Sequence, residues 1–509
     1  MKKMLSILLS LAMLCTLLTA LPASAEEQKT LTLAWSQYDA ITAFGPWEET
    51  PFIKEWEKQT GVQVKVIHPN DFSVYLASGE YADIVYWTWA RYPGSASKAI
   101  EDGVIVPIED KLEEYAPDYY NVLHSNPEWL KQATTPEGHI YGFNFIRGDR
   151  QLQTSAGIIV RTDWLDELGL EMPETADDLY NVLVAFRDQK GATAPLTAVW
   201  QFMTTRGLDM GIFTSAFGLV RGSYYQVDGK VHYGYSEENY KGVLEYLHKL
   251  YEENLFDHNF LTLDDATMKS NMLNGISGVT VGFGGSGIGN MLTAARSAGD
   301  ETFELGGAPT PVANKGDRPL SGQYDNALQT GRAAAISTSC KDVETAMKFL
   351  NYCYTDAGCM LMNYGIEGET YNMVDGTPVY TDLITHNPDG KTVQQALAQY
   401  TLGWSEGPFV QKLSSYYAWE EQKQALQAWS ANDAEKYIIA DIAVPSELSD
   451  EYSAIYSEVN TFVQEQTVAF ITGERSLDEF DSYLDTLKQL NIDRMIEIYQ
   501  IALDEFNAR

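Results

Sequence analysis

The sequence predicts an α/β protein in which short strands alternate with helices. Six runs rich in β-branched and aromatic residues predict strands at 30–35, 62–67, 83–87, 157–160, 278–281 and 333–336. Apolar residues recur at helical spacing after Thr175, Ser236 and Ser339, and 451–507 is predicted to be mostly helical. This alternation favours largely parallel sheets, whose ligands bind beyond the carboxyl ends of the strands. With 509 residues, the chain is long enough for two or more domains.

The first 25 residues predict a secretory signal peptide. Lys2 and Lys3 precede an apolar run over 4–21, and the A-x-A cleavage site 23–25 follows it directly. An N-terminal membrane anchor is the alternative. Later in the chain no run approaches the roughly 20 apolar residues that span a bilayer. We therefore expect a mature chain without a transmembrane segment, secreted or at the cell surface, and periplasmic if the host has an outer membrane.

The net charge limits the possible binding partners, and the cysteine content limits the possible disulfides. The 35 basic and 71 acidic residues give a net charge of −36, which argues against nucleic acid and anionic membrane surfaces as partners. After removal of the signal peptide, Cys340, Cys353 and Cys359 remain. Cys353 and Cys359 can pair if a helix ends between them, and three buried thiols are the alternative.

The sequence shows no pattern typical of a metal centre or a nucleophilic enzyme. The seven His form no H-E-x-x-H motif, the Cys form no C-x-x-C motif, and G-x-S-x-G is absent. Residues 282–287 match G-x-G-x-x-G, but an exported chain is not expected to bind a dinucleotide. Either this segment presents N–H groups and Phe283 to a ligand, or it is a plain turn into a helix. We expect no cofactor and no metal site.

Aromatic residues give the best physical indication of a ligand. The apolar face of a sugar ring packs on indole or phenol rings, while neighbouring polar groups bind its hydroxyls. Aromatic and polar residues lie together where predicted strands give way to loops, and the candidates are Trp35, Tyr38, Trp87, Trp89, Arg91, Trp200 and Phe283. If the chain stays extended, Trp87, Trp89 and Arg91 point to one side and form a stacking platform. For each Trp the alternative is a place in the core.

Several segments occur in an order that resembles a known family. They are 52–62 (an acidic helix followed by T-G-V), 79–85, 138–142, 161–165, 346–350 and 363–371. The chain is similar to the family 1 extracellular solute-binding proteins of ABC importers, in the maltodextrin-binding-protein superfamily, and most similar to the LplA-type lipoprotein branch. It departs from that branch at Cys15, which follows Leu14 rather than a small residue. Lipid anchoring therefore stays open.

The resemblance implies two discontinuous α/β lobes joined by a hinge, with a ligand cleft between them. Lobe one is expected to comprise 26–149 and 311–360, and lobe two 150–310 and 361–509. The chain would cross between lobes near 147–153, near Thr310 and near Met360. Aromatic residues would then line both walls, and the resemblance adds Tyr324 and Tyr364 near the crossings.

The expected function is capture of a carbohydrate, an oligosaccharide in particular, for the permease subunits of an ABC importer. The protein would act as a monomer and not as an enzyme. The alternatives are a secreted glycan-active enzyme and a surface glycan-binding adhesin. The sequence does not name the sugar, its length or its linkage.

Overall fold

The computed structural model describes residues 29–35, 46–402, 406–412, 417, 419–440, 442 and 444–509. Its strands are β1 (Thr30–Trp35), β2 (Gln63–Ile67), β3 (Ile84–Thr88), β4 (Phe143–Arg147), β5 (Ala156–Arg161), β6 (Leu196–Thr197), β7 (Tyr224–Val227), β8 (Lys230–Tyr233), β9 (Val279–Phe283), β10 (Leu305–Ala308), β11 (Leu328–Ile336), β12 (Tyr371–Val374), β13 (Thr377–Tyr380) and β14 (Val410–Gln411).

The helices alternate with these strands and dominate the end of the chain. They are α1 (Pro51–Thr60), α2 (Phe72–Ala77), α3 (Ser95–Glu101), α4 (Glu109–Tyr115), α5 (Pro117–His124), α6 (Pro127–Ala133), α7 (Thr162–Leu168), α8 (Ala176–Lys190), α9 (Trp200–Phe202), α10 (Tyr240–Glu252), α11 (Asp265–Leu273), α12 (Asn290–Ser297), α13 (Val343–Asn351), α14 (Asp356–Tyr364), α15 (Asp382–Thr385), α16 (Val393–Tyr400), α17 (Glu420–Ser430), α18 (Ser449–Thr472), α19 (Phe480–Gln489) and α20 (Ile492–Asn507). In the part of the chain described here, no helix is long and apolar enough to cross a membrane.

Two separate sheets organise the fold. The first has the order β14-β4-β11-β3-β1-β2, and the second has the order β10-β5-β9-β6. In the first, β1 is parallel to β2 and β3, whereas β11 runs antiparallel to β3 and β4. In the second, β5 is antiparallel to both of its neighbours. The expected largely parallel sheets are thus mixed, because a strand that returns from the other sheet enters each of them in the opposite direction.

The local sequence patterns correctly predicted the positions of several strands and helices. Each of the six predicted strands overlaps an observed strand. The capping box before α8 forms, because Asp178 N donates to Thr175 Oγ1 (3.0 Å) and Thr175 N donates to Asp178 Oδ2 (3.1 Å). The helix expected from Ser236 begins at Tyr240, after a short 3₁₀ turn.

Each sheet has its own hydrophobic core. Trp35, Trp56 and Phe349 are buried against the first sheet, while Phe186 and Phe470 belong to the core of the second. The cluster containing Tyr417, Leu426 and Trp429 also packs against the second sheet, on Ile159 and Leu305. The two cores define two lobes.

The third crossing differs from the expectation near Met360. Leu361 and Phe409 are part of the core of the first sheet, and β14 pairs with β4. The apolar faces of α14 and α16 therefore keep 361–402 and 406–411 in lobe one, and Tyr417 is the next described core residue of lobe two. Lobe one is used below for 29–147 and 328–412, and lobe two for 156–308 and 417–509.

The first two connecting segments are tied to each other. Gln323 Oε1 accepts hydrogen bonds from the backbone N–H groups of Ser155 (2.6 Å) and Ala156 (3.0 Å). Asp325 N donates to Gln153 O (2.7 Å). These bonds hold 148–155 and 309–327 side by side between the lobes.

The three cysteines that the structure describes are free thiols. Cys340 and Cys353 are buried and Cys359 is half-buried. The pairing of Cys353 with Cys359 that the sequence left open is not formed.

Candidate functional site

A network of five charged side chains lies where the connecting segments meet. Arg147 Nη2 is 3.4 Å from Asp325 Oδ2 and 3.9 Å from Glu406 Oε1. On the lobe-two side, Arg206 Nη1 donates to Asp325 Oδ1 (3.2 Å). On the lobe-one side, Arg332 contacts Glu406. The side chain of Arg147 is only 10% exposed, so the carboxylates around it supply the compensation that a nearly buried charge needs.

An aromatic pair lies at the lobe-two end of this network. The rings of Phe202 and Phe283 meet edge to face, with centroids 4.8 Å apart at 85°. Both rings line a cavity of about 340 Å³, together with Gln201, Arg206 and Ser286. The Arg206 guanidinium carbon lies 5.7 Å from the Phe283 centroid. Half-buried aromatic faces therefore stand beside hydrogen-bond donors, as a ligand with apolar and polar faces requires.

The glycine-rich segment after β9 is explained by packing. A Cβ at Gly284 would lie 2.6 Å from Leu426 Cδ1, and one at Gly289 would lie 2.4 Å from Gln422 Nε2. Gln422 Nε2 donates to Gly284 O (2.8 Å). The glycines let α17 approach a helical turn that leads into α12. The plain-turn alternative thus accounts for Gly284 and Gly289, while Gly282, Phe283, Ser286 and Gly287 of the same segment line the cavity.

A second cavity, of about 460 Å³, lies at the lobe-one end of the network. Thr88 lines it at the end of β3, Arg91 from the turn that follows and Arg332 from the middle of β11, and α20 of lobe two contributes Phe506. Arg332 Nε donates to Thr88 Oγ1 (3.3 Å). Lys131 Nζ lies 4.5 Å from the centroid of the Phe506 ring. This cavity is therefore built from both lobes.

The structure places three predicted ligand-binding tryptophans in the core of lobe one. Trp35 is 1% exposed and stacks on Tyr86, with centroids 4.2 Å apart. Trp89 is 0% exposed and its Nε1 donates to Ala333 O (3.2 Å). Trp87 is 9% exposed and stacks on Phe72. The platform expectation fails because β3 ends at Thr88 and a 3₁₀ turn follows, so the two-residue alternation stops before Trp89.

The other candidates are divided between the cavities and the core. Arg91 is exposed in the second cavity. Trp200 packs edge to face on Phe260 (5.0 Å), beside the Phe202–Phe283 cavity but not in its lining. Tyr364 is 5% exposed within lobe one. Tyr38 lies outside the described residues.

Tyr324 occupies the connecting segment itself. Its hydroxyl donates to Gln153 Oε1 (3.1 Å), and the Arg150 guanidinium carbon lies 4.3 Å from its ring centroid. Burial raises the pKa of Tyr324 to about 12. The residue lines a third cavity, of about 520 Å³, between α6 of lobe one and α20 of lobe two. Tyr324 therefore acts as a neutral hydrogen-bonding ring between the lobes.

Sequence reasoning missed the charged network and Phe202. Arg147 ends β4 and Asp325 belongs to a connecting segment, and no local pattern joins residues so far apart along the chain. Phe202 had a usable signal, because it stands two residues after Trp200 where a strand gives way to a helix. Within the described parts of the chain, no group of three or more His, Cys, Asp or Glu side chains is placed to hold a metal ion.

Two lobes with separate sheets, segments that connect them and cavities between them define the fold of a solute-binding protein. The family model for bacterial extracellular solute-binding proteins matches residues 39–358, and the chain belongs to that family. It is 26% identical to lipoprotein LipO of Bacillus subtilis (strain 168) over 463 residues, 87% of each chain.

Two further comparisons concern one relative. The chain is 23% identical over 487 residues to the fructooligosaccharide ABC transporter substrate-binding protein FusA of Streptococcus pneumoniae serotype 4, covering 90% of this chain and 88% of FusA. The solved structure of S. pneumoniae FusA in complex with kestose has a TM-score of 0.70 at 21% identity, covering 94% of this chain and 100% of that one.

Proposed function

We propose that this chain is an extracytoplasmic receptor that captures an oligosaccharide and delivers it to the permease of an ABC importer. The observation that carries the proposal is the charged network from Arg206 to Arg332. It runs through the connecting segments and links an aromatic cavity in lobe two to a polar cavity at the edge of lobe one. The name of FusA, a sugar receptor of an ABC transporter, supports the same function.

The geometry suggests how each part acts on a sugar. Phe283 and Phe202 present ring faces to the C–H face of a pyranose or furanose, and Gln201 and Ser286 offer hydrogen bonds to its hydroxyls. The network around Arg147 and Asp325 holds the connecting segment against both lobes at the base of the cleft. Rotation of the lobes about the connecting segments would bring the lobe-one cavity onto the far end of the same saccharide.

The second part of the proposal is that the protein binds the saccharide without cleaving or modifying it. A transport receptor must release its ligand unchanged, and the family to which the chain belongs consists of binding proteins. The mature chain would work outside the cytoplasm as a monomer, with the importer's permease subunits as its protein partners.

The test is a thermal-shift screen followed by isothermal titration calorimetry with oligosaccharides of two to six sugars. We expect one saccharide bound per chain, a raised melting temperature, and recovery of the intact saccharide by chromatography. A chain that binds none of the saccharides is not a sugar receptor. Shortened products, lost on mutation of one carboxylate, would instead make it a glycan-active enzyme.

A further inference from the structure

The cavity at the edge of lobe one carries an unexpected charge. Its lining includes four basic side chains and no acidic one among the described residues, and the four are Arg91, Lys131, Arg332 and Arg509. The whole chain has 71 acidic and 35 basic residues, so an unbiased pocket would contain more acids than bases. The charge of this cavity is therefore the reverse of that of the protein.

Most of these cations are not paired with a carboxylate side chain of the described residues. Of the four side chains, only Arg332 has a carboxylate partner among the described residues, namely Glu406. Lys131 Nζ and the Arg509 guanidinium carbon lie instead 4.5 and 5.8 Å from the centroid of the Phe506 ring. Cations gathered around one ring repel each other, and a bound anion would remove that repulsion.

Besides Glu406, the carboxylate of Glu137 stands near the cavity without lining it. Ser97, a lining residue, donates its hydroxyl to Glu137 Oε2 (2.7 Å). Glu137 is exposed, and Ser97 already satisfies one of its oxygens. Solvent screens such an exposed charge, so it does not neutralise the basic lining.

We infer that the captured oligosaccharide is acidic and that its anionic group binds in this cavity, beside Arg91 and Lys131. The inference rests on the proposed function and adds the chemical class of the sugar. A guanidinium offers two parallel N–H donors to a carboxylate or a sulfate, and an ammonium adds a point charge. The net charge of −36 repels an acidic sugar at long range, so a local basic cluster is what such a ligand needs.

The cavity is positioned to bind one end of a saccharide whose other end reaches the Phe202–Phe283 pair. Arg332 belongs both to the cavity lining and to the charged network that ends at Arg206 and Phe283. Gly331 N donates to Tyr141 Oη (3.0 Å), which fixes the backbone beside Arg332. Ring stacking at one end and charge pairing at the other would together fix the orientation of the saccharide.

The test compares matched saccharides by isothermal titration calorimetry at 50 and 300 mM NaCl, concentrations on either side of about 0.15 M, where the Debye length is roughly 8 Å. The probes are oligogalacturonates, oligomannuronates and oligoglucuronates, their carboxyl-reduced counterparts, sulfated galacto-oligosaccharides, and neutral fructo- and malto-oligosaccharides. The variants are Arg91→Gln and Lys131→Gln. The control is Lys58→Gln, which removes the same charge from a side chain 71% exposed on α1.

We expect an acidic saccharide to bind at least about tenfold more tightly than its reduced counterpart, with affinity falling as salt rises. Each cavity variant should lower that affinity several-fold, and the Lys58 control should leave it unchanged. Preference for the uronates or for the sulfated saccharides decides which anionic group is recognised. Equal binding of acidic and reduced forms, or binding of neutral saccharides alone, overturns the inference and leaves the sugar-receptor function standing. Binding of no saccharide overturns both.

Discussion

Arg147, the last residue of β4, forms an ion pair with Asp325 of a segment that joins the lobes, with 3.4 Å between Nη2 and Oδ2. Asp325 is also bound by Arg206 from lobe two, so one carboxylate receives guanidinium groups from both sides of the hinge. These contacts of Asp325 link the connecting segment to Arg206, which lines the cavity in lobe two. The ion pair is therefore the structural relationship on which the account of the cleft depends.

Removal of this carboxylate should destabilise the protein. In Asp325→Ala, Arg147 keeps Glu406, at 3.9 Å, and its bond to Asn326 O (3.4 Å), but it loses the nearer carboxylate that compensates its nearly buried charge. We expect a loss of about 1–3 kcal/mol in the free energy of unfolding, measured by urea denaturation. The control is Asp382→Ala, whose side chain is 91% exposed and should change stability little. Equal stability of Asp325→Ala and wild type would show that the network does not contribute to the free energy of unfolding.

Phe283 should contribute to affinity more than to stability. Its ring is half-buried at the mouth of a cavity, so Phe283→Ala should weaken binding of the saccharide by roughly 10- to 100-fold. The measurement is calorimetric titration of both proteins. Phe217→Ala, which truncates a half-buried ring of lobe two outside that lining, should bind like wild type. If Phe217→Ala and Phe283→Ala behave alike, the aromatic pair is not part of the binding site.

Trp89 should behave as a core residue. Its ring is fully buried, it meets Trp87 edge to face at 5.7 Å, and its N–H is bonded to Ala333 O. Trp89→Ala should therefore cost about 3–5 kcal/mol of stability and lower the melting temperature strongly. Trp89→Phe, which keeps most of the apolar volume, should lose less. A Trp89→Ala protein that melts like wild type but binds sugar poorly would restore the stacking-platform interpretation.

Gly157 should tolerate no side chain. A Cβ there would lie 2.4 Å from ring atoms of Trp429, whose Nε1 donates to Ile158 O (3.2 Å). Gly157→Ala should cost about 1–3 kcal/mol, because the indole must move out of a packed core. In Gly287→Ala the nearest atom is Ile159 Cδ1 at 3.0 Å, the end of a flexible side chain, so the loss should be smaller. Comparable melting temperatures for the two variants would contradict the packing of α17.

Much of the fold could be predicted from local patterns. β-Branched runs such as 30–35 and the capping residue Thr175 fix an element through neighbours in sequence, and these predictions agree with the structure. The direction of β11 could not be predicted in this way, because it depends on which sheet the chain has just left. The same is true of 361–402 and 406–411, whose place in lobe one is decided by the packing of α14 and α16.

The site was harder to predict than the fold. An aromatic residue after a strand is compatible with both core and cavity, and the choice depends on where the strand ends. Trp89 is buried because a 3₁₀ turn begins at that residue, whereas Phe283 remains half-buried at the end of β9. The Arg147–Asp325 contact joins residues 178 positions apart in the numbering, and only the folded chain brings them together.

Capture of the sugar between the lobes is tested by hydrogen exchange measured with and without the bound oligosaccharide, because this experiment reports on both walls of the cleft at once. We expect slower exchange at 199–206 and 283–289 of lobe two and, at the same time, at 88–91 and 331–332 of lobe one. Protection confined to one lobe, or absent from all four segments while calorimetry shows binding, would contradict capture of the sugar between the lobes.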